Sequence, residues 1–300
     1  MMELRSLQYF VAMYEERSIS RAARRLNIVQ PAISHQLAKL EDEIGDSLFQ
    51  RTPKGLVPTQ AGHEAYRLFL PILRSVEDAR QALSAPRDTV KGHVAIGVVA
   101  SVAHNALPET LASFSAKFPE VTLRATGGYT RELLQMLRAG DLDLVVVNGP
   151  VDQEEFQQID LITETLAVIQ AADADSKREI GFVELDQHRL VVPSRRHGLR
   201  SVLEDAVARQ ALRLSPRYEF DEIGTIENFV VNTDFFTILP PIAVTNALRA
   251  GLLQALPLSP RISRQLVGIH HVARPLSRAA TVLLEELRDR LVAVQRELNL

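Results

Sequence analysis

Two short apolar stripes lie between residues 18 and 45, and neither is long enough to be buried on its own. Ala22, Ala23 and Leu26 set the first on a short helix. Ile33, Leu37, Leu40 and Ile44 recur at +4, +3 and +4 and set the second on a longer one. Ser18 and Ser20 are hydroxyl N-caps for the first helix. Asn27 through Gln30 form the break, Pro31 suits a first helical turn, and Gly45 stops the second helix. Upstream, Leu7, Phe10, Val11 and Tyr14 predict an amphipathic helix over residues 3–16. The front of the second helix carries Ser34, His35, Ala38 and Lys39, small or polar groups able to approach a groove. Two short helices joined by a tight break, the second with an apolar back and a polar front, follow the helix-turn-helix plan.

Charge sharpens this reading. The chain carries a net −3, yet residues 1–87 hold 12 basic and 10 acidic side chains. Arg17, Arg21, Arg24, Arg25 and Lys39 follow one another between residues 17 and 40 with no acid among them. Such a one-signed stretch is either a footprint for an anionic partner or the solvated face of a helix. Next, Leu48–Phe49 and Leu56–Val57 are short strand candidates around the turn Thr52-Pro53-Lys54-Gly55. The result is a hairpin with Arg51 and Lys54 near its tip, suited to phosphate or minor-groove contact.

The run from Ser18 to Gly62 resembles the DNA-binding domain of the LysR-type transcriptional regulators. The matching pieces are Ala22-Ala23, Gln30-Pro31-Ala32-Ile33-Ser34, Leu40-Glu41, Gly45, Leu48-Phe49, Arg51, Pro58-Thr59 and Ala61-Gly62. The resemblance implies a winged helix-turn-helix over residues 1–60, with Gln30, Pro31, Ser34 and His35 at the major-groove end of the recognition helix. Gln30 and Ser34 can hydrogen-bond base edges. Arg21, Lys39, Arg51 and Lys54 are the DNA-facing cations, of which Lys39 and Arg51 suit phosphate neutralisation. Many relatives have arginine where this chain has His35. A neutral imidazole cannot make arginine's bidentate contact to guanine, so His35 either reads a base differently or touches only backbone.

Thr59 is a good N-cap for a long helix over residues 59–88. Tyr66, Phe69, Leu73, Val76 and Leu83 lie on one stripe, and Ala65, Leu68, Ile72 and Ala79 on its neighbour. Two apolar stripes need two partners. One is the helix-turn-helix. The other, by the resemblance, is the same helix of a second subunit, with a tetramer favoured over a dimer; packing wholly within one chain is the alternative. Pro71 predicts a bend over residues 67–71.

Residues 89–300 alternate between strand-like and helix-like segments, the pattern of a parallel sheet with crossover helices. Two successive α/β units imply two lobes, about 90–162 with 268–300, and about 163–267. The stretches GxxTRELLQMLRAGDLDLVVV, VVPSRRHGLR, TILP and RPLSRAA resemble the effector domain of the same family. The fold class expected is therefore α/β: an all-α winged helix-turn-helix followed by a two-lobed, periplasmic-binding-protein-like effector-binding domain.

In open α/β sheets ligands collect beyond the carboxyl ends of strands, near helix N-termini, which favour anions. Those positions are Ser101, Gly128, Thr130, Asn148 and, in the other lobe, Pro193 and Ser194. The resemblance places the effector pocket there. The expected occupant is a small carboxylate-bearing metabolite held by the Ser101 and Thr130 hydroxyls and nearby backbone N–H groups; the plainer alternative is that both hydroxyls only cap helices. Relatives often have a glycine-rich segment where this chain reads Asn232-Thr233-Asp234-Phe235-Phe236, which puts two phenylalanines and an acid near the expected cleft.

Other chemistry finds little support. With no cysteine in 300 residues there is no disulfide, thiolate metal site or cysteine nucleophile. Gly127-Gly128 alone is not a phosphate loop, and no G-x-S-x-G elbow occurs. His270 and His271 are adjacent and would face opposite sides of a strand; His188 and His197 flank a strand and read as surface groups. No catalytic residue, metal or cofactor is expected. No apolar stretch reaches the ~20 residues of a membrane span, and acids interrupt the apolar residues of MMELRSLQYFVAMYEERS, unlike a secretory signal. The expectation is a cytoplasmic regulator whose partners are double-stranded DNA with an inverted repeat, a small effector and further copies of itself, with contact to RNA polymerase left open. The competing readings are a solute-binding protein without a DNA role, and an enzyme using the α/β domain. If Lys39 and Arg51 serve phosphates, each change to Ala lowers the slope of log affinity against log salt by about one unit, equally for all DNA sequences. A titration of DNA binding against salt checks this.

Overall fold

The computed structural model describes residues 2–53, 55–84, 90–172, 179–185, 189–209 and 213–298. The chain divides into two compact units, residues 1–89 with 139–141, and residues 90–138 with 142–300.

The first unit comprises α1 (Leu4–Glu16), α2 (Ile19–Arg25), α3 (Gln30–Ile44), the hairpin strands β1 (Phe49–Thr52) and β2 (Gly55–Pro58), and α4 (Gln60–Ser84). Ser18 caps α2, its side chain accepting from the Arg21 N–H. The break before α3 is made by Asn27 in the left-handed region at φ 54°, a conformation asparagine tolerates. Phe10 is the centre of the core. It is fully buried and meets Phe49 of the hairpin at 5.3 Å and Phe69 of α4, edge-on, at 5.6 Å. Ala22, Ala23, Ile33, Leu37 and Leu40 close the core around it. Ile44, expected in that buried stripe, is instead exposed. It is the last residue of α3, and Gly45 turns the chain there.

Two polar devices fix the later elements. Glu41 of α3 accepts the backbone N–H groups of Leu48 and Phe49 through Oε1, at 2.7 and 3.3 Å, and so holds the start of the hairpin. On α4, Tyr66 stacks on Tyr14 at 3.9 Å and donates to Glu15 Oε1 at 3.0 Å, while the Tyr14 hydroxyl meets His63 Nδ1 at 2.7 Å. Burial, and then the Glu15 charge, push Tyr66 up to about 12, so it remains a donor. The helix continues through Pro71 to Ser84. Ala65 and Phe69 are buried against the core, whereas Leu68 and Ile72 stand exposed.

The second unit has two lobes. In the first, β3 (Gly92–Val99), α5 (Ala100–Ala103), α6 (Ala106–Lys117), β4 (Val121–Gly128), α7 (Thr130–Ala139), β5 (Leu144–Gly149) and β6 (Phe156–Thr165) precede the excursion into the second lobe. That lobe holds β7 (Ala167–Ala171), β8 (Ile180–Gly181), β9 (Val191–Pro193), α8 (Gly198–Ala208), β10 (Tyr218–Phe220), α9 (Ile223–Val231), β11 (Phe236–Leu239), α10 (Thr245–Arg249) and β12 (Leu253–Ser259). The chain then returns as β13 (Ser263–His271) and α11 (Arg278–Glu297). The first sheet runs β4-β3-β5-β13-β6 and the second β11-β7-β12-β8, with β9 and β10 paired beside it.

The sheets are mixed rather than parallel throughout. Strands β3, β4 and β5 are parallel, but β13 runs antiparallel to both β5 and β6. It re-enters from the second lobe at the end where β5 leaves, so it must point the other way. The chain passes from one sheet to the other at residues 165–167 and back at 259–263. Strand β5 is buried on both faces over Leu144–Val147, and α11 packs Leu283, Leu287 and Leu291 against the same core. In the second lobe the fully buried Arg200 ties α8 to β9 and β10, reaching the Pro193 carbonyl, Glu204 and Glu219.

Gly62 supports a prediction. A Cβ there would lie 2.1 Å from the Leu48 carbonyl oxygen, which already accepts from the Thr59 N–H. Gly62→Ala is therefore expected to destabilise the first unit by on the order of 3 kcal/mol, seen as an earlier unfolding transition by circular dichroism.

Candidate nucleic-acid interface and inter-lobe site

The front of α3 is assembled as its sequence implies. Gln30, Pro31 and His35 are exposed and Ser34 is half-buried, while Ile33, Leu37 and Leu40 on the opposite face are covered. Ser20 donates to Gln30 Oε1 at 3.4 Å, which uses the amide's acceptor and not its N–H donors. Lys39 is exposed and lies 3.6 Å from Glu3. Arg21 is engaged locally, donating to the Glu16 carbonyl and pairing with its carboxylate at 3.6 Å. Arg51 pairs through its backbone with Leu56 in the hairpin; its side chain and the whole of Lys54 lie outside the described residues.

In the second unit, the carboxyl ends of β3, β4 and β5 meet the second lobe at one small cavity. Ser101, Gly128, Thr130 and Asn148 line it from the first lobe. His197, Gly198, Leu199 and Ile223, at the N-terminal ends of α8 and α9, line it from the second. Pro193 and Ser194 do not line it. The Pro193 carbonyl accepts from Arg200 and the Ser194 carbonyl from the His197 N–H, so the chain turns once more before α8 reaches the site. His197, expected on the surface, is buried, and its Nε2 lies 2.5 Å from the Asp221 carbonyl. His188 lies outside the described residues. Phe235 also differs from expectation: it packs with Tyr218 and Phe229 away from the cavity, and Asp234 is exposed.

Sequence reasoning missed Arg264, the most consequential group. It sits at the start of β13, directly across from Glu164 at the end of β6. Both are buried, Arg264 to 3% and Glu164 to 5% exposure. Arg264 gives Nε and Nη2 to Glu164 Oε1 at 2.9 and 2.7 Å, Nη1 to Asn148 Oδ1 at 3.0 Å, and Nη2 to Ser101 Oγ at 2.9 Å. Burial drives the Glu164 carboxyl upward from its ordinary value, and Arg264 pulls it back. Arginine only donates, so Ser101 and Asn148 spend acceptor capacity on it and keep O–H and N–H₂ free to donate. Thr130 Oγ1 is buried with no hydrogen-bond partner among the described residues.

The cavity thus collects donors: two hydroxyls, an amide, and the N-termini of α7, α8 and α9. That set suits an anion. Its volume is about 10 Å³, roughly the space of one water. Lobe-to-lobe contacts close its rim. Tyr129 meets His197 edge-on at 4.9 Å with Arg196 over its ring at 4.3 Å, Arg196 reaches Glu132 at 3.0 Å, and His104 lies 3.3 Å from Glu227. Among the described residues no cluster of three or more His, Asp or Glu could hold a metal ion, and no helix is long and apolar enough to cross a membrane. Glu164→Ala would leave Arg264 buried without its counter-charge and is expected to cost about 3–5 kcal/mol, measured by thermal or urea unfolding of the full chain.

Comparison with known proteins places both units in one family. Residues 4–63 match the model of the bacterial regulatory helix-turn-helix proteins of the lysR family, and residues 87–292 match the LysR substrate binding domain. The hydrogen peroxide-inducible genes activator of Haemophilus influenzae is 27% identical over 295 residues, covering 96% of this chain and 98% of that protein. The HTH-type transcriptional regulator CzcR of Bacillus cereus is 30% identical over 250 residues, covering 83% and 84%. A full-length OxyR from Pseudomonas aeruginosa shares the fold with a TM-score of 0.71 at 24% identity, covering 96% of this chain and 95% of that one. The chain belongs to the LysR family of DNA-binding transcriptional regulators, with an N-terminal helix-turn-helix domain and a C-terminal effector-binding domain.

Proposed function

We propose that the protein binds inverted-repeat promoter DNA as an oligomer and that a small carboxylate-bearing metabolite, held between the two lobes, tunes that binding. The observation that carries the effector reading is the donor set around Arg264: Ser101, Thr130 and Asn148 turned toward three helix N-termini. Gln30, Pro31, Ser34 and His35 are the groove-facing residues in this reading, with Lys39, Arg51, Lys54 and Arg21 serving the backbone. The exposed Leu68 and Ile72 on α4 are the face that pairs with a second copy, and two such dimers make a tetramer. Pairing also explains the inverted repeat, since two recognition helices about one helical turn apart match a two-fold symmetric site. The reading has no catalytic step, and it places the protein in the cytoplasm, where promoter DNA and RNA polymerase are at hand.

Several relatives bear names for hydrogen-peroxide induction. This chain has no cysteine, so oxidation of a thiol is not open to it, and reversible binding is the mode its residues support. An organic acid is larger than the cavity, so it enters only as the lobes separate and the Tyr129–His197 and Arg196–Glu132 contacts give way. The ligand thereby selects a lobe arrangement, and its differential affinity for the two arrangements sets how far DNA binding shifts.

Gly198 gives the test. A Cβ there would lie 2.8 Å from Asn148 Nδ2 and 3.1 Å from Thr130 Oγ1. Calorimetry against a panel of small acids is expected to find one that binds the full chain, changes its affinity for promoter DNA, and binds Gly198→Ala about tenfold or more weakly, with Ser101→Ala weakened as well. Unchanged binding in both variants would remove this cavity as the effector site.

A further inference from the structure

The residue just before the recognition helix does not do what its position asks. Val29 occupies the N-cap of α3 with extended backbone, φ −81° and ψ 142°, and makes no side-chain cap bond. Ser18, Thr59 and Ser277 supply such a bond to Arg21, Gly62 and Ala280 N–H at three other helix starts, while α1, α5, α6, α8, α9 and α10 also begin without one. A valine cannot accept a hydrogen bond, so this helix end forgoes that stabilisation. Val29 is also 69% exposed, among the most exposed large apolar side chains described. Val99 and Val244, which also lead helices without a cap bond, are buried, whereas Val29 stands in solvent, and local rules are broken most often where a surface is used.

Its place says what the surface meets. A helix-turn-helix directs the N-terminal end of its second helix at base edges in the major groove. Val29 leads that end, followed by the exposed Gln30, Pro31 and Ala32. Valine can bond neither a phosphate oxygen nor any donor or acceptor on a base edge. The apolar feature the major groove offers is the C5-methyl group of thymine. Gln30, oriented by Ser20, supplies the hydrogen-bonding half of the same edge.

We propose that Val29 is a specificity-determining residue that packs on the methyl group of a thymine in each half of the DNA site. The proposal rests on the DNA-binding reading and adds one base to it. A serine there would cap the helix and lose the contact with the methyl.

The test is selection of binding sites from a random duplex library with the full chain and with Val29→Ser, followed by affinity measurements on the enriched site. The unmodified chain is expected to enrich a thymine at a fixed place in each half. Replacing that thymine by deoxyuridine, which removes only the methyl, should weaken it about fourfold per half-site, the burial value of one such group. Val29→Ser should enrich the same remaining bases, bind the thymine and deoxyuridine sites equally, and melt no earlier than the parent. If the parent does not distinguish thymine from deoxyuridine anywhere in the site, or if Val29→Ser keeps the same discrimination, the proposal is wrong while DNA binding stands. If neither protein enriches any sequence, the DNA-binding reading falls and this proposal with it.

Discussion

The effector domain is organised by one buried ion pair. Arg264 and Glu164 face each other on the two strands through which the chain passes between its lobes. A buried charge is tolerated only when it is paired and its remaining hydrogen-bonding capacity is satisfied, and here the guanidinium is satisfied by groups of the cavity wall. The same contacts that make the pair tolerable turn the Ser101 hydroxyl and the Asn148 amide into outward donors. The strands that join the lobes and the wall of the cavity therefore share a residue. An anion that approached those donors would also meet the field of a cation already committed to the crossing strands.

The first unit is built on a different principle. Its centre is apolar: Phe10 touches the hairpin and the long helix at once, so the hairpin and α4 are positioned by one side chain of α1, with Ile33, Leu37 and Leu40 of α3 in the same core. Polar groups then set register at the periphery, with Glu41 gripping the start of the hairpin and the Tyr14–Tyr66–Glu15 group fixing α4. With the apolar core on the opposite side, the front of α3 stays exposed and makes polar contacts such as Ser20–Gln30 and Lys39–Glu3.

Much of this was legible from the amino-acid order, and the failures have a common cause. Helical periodicity located α1 to α4, because the repeat is local and the residues that bury are neighbours in sequence. The rule that ligands gather beyond the carboxyl ends of strands picked out Ser101, Gly128, Thr130 and Asn148, which the fold does bring to one cavity. What could not be read was set by distant chain. Arg264 is an arginine in an otherwise ordinary strand, and its meaning comes from Glu164 a hundred residues earlier in sequence. His197 looked like a surface group because its burial depends on Tyr129 of the other lobe and on the Asp221 carbonyl. Strand β12 contains Pro257, a residue that argues against a strand yet pairs here with Ala167. Ile44 failed for a local reason: the stripe extends to it, but the helix ends with it.

A crystal structure of the full chain, grown with an acid that alters its affinity for DNA, would show whether the donors around Arg264 hold the effector. Electron density is expected between the lobes, with acid oxygen atoms within hydrogen-bonding distance of Ser101 Oγ, Thr130 Oγ1 and Asn148 Nδ2, and the Arg264–Glu164 pair in place behind them. An acid that shifts DNA binding yet is found elsewhere on the molecule, with only water between the lobes, would show that the buried pair serves the fold and not the ligand.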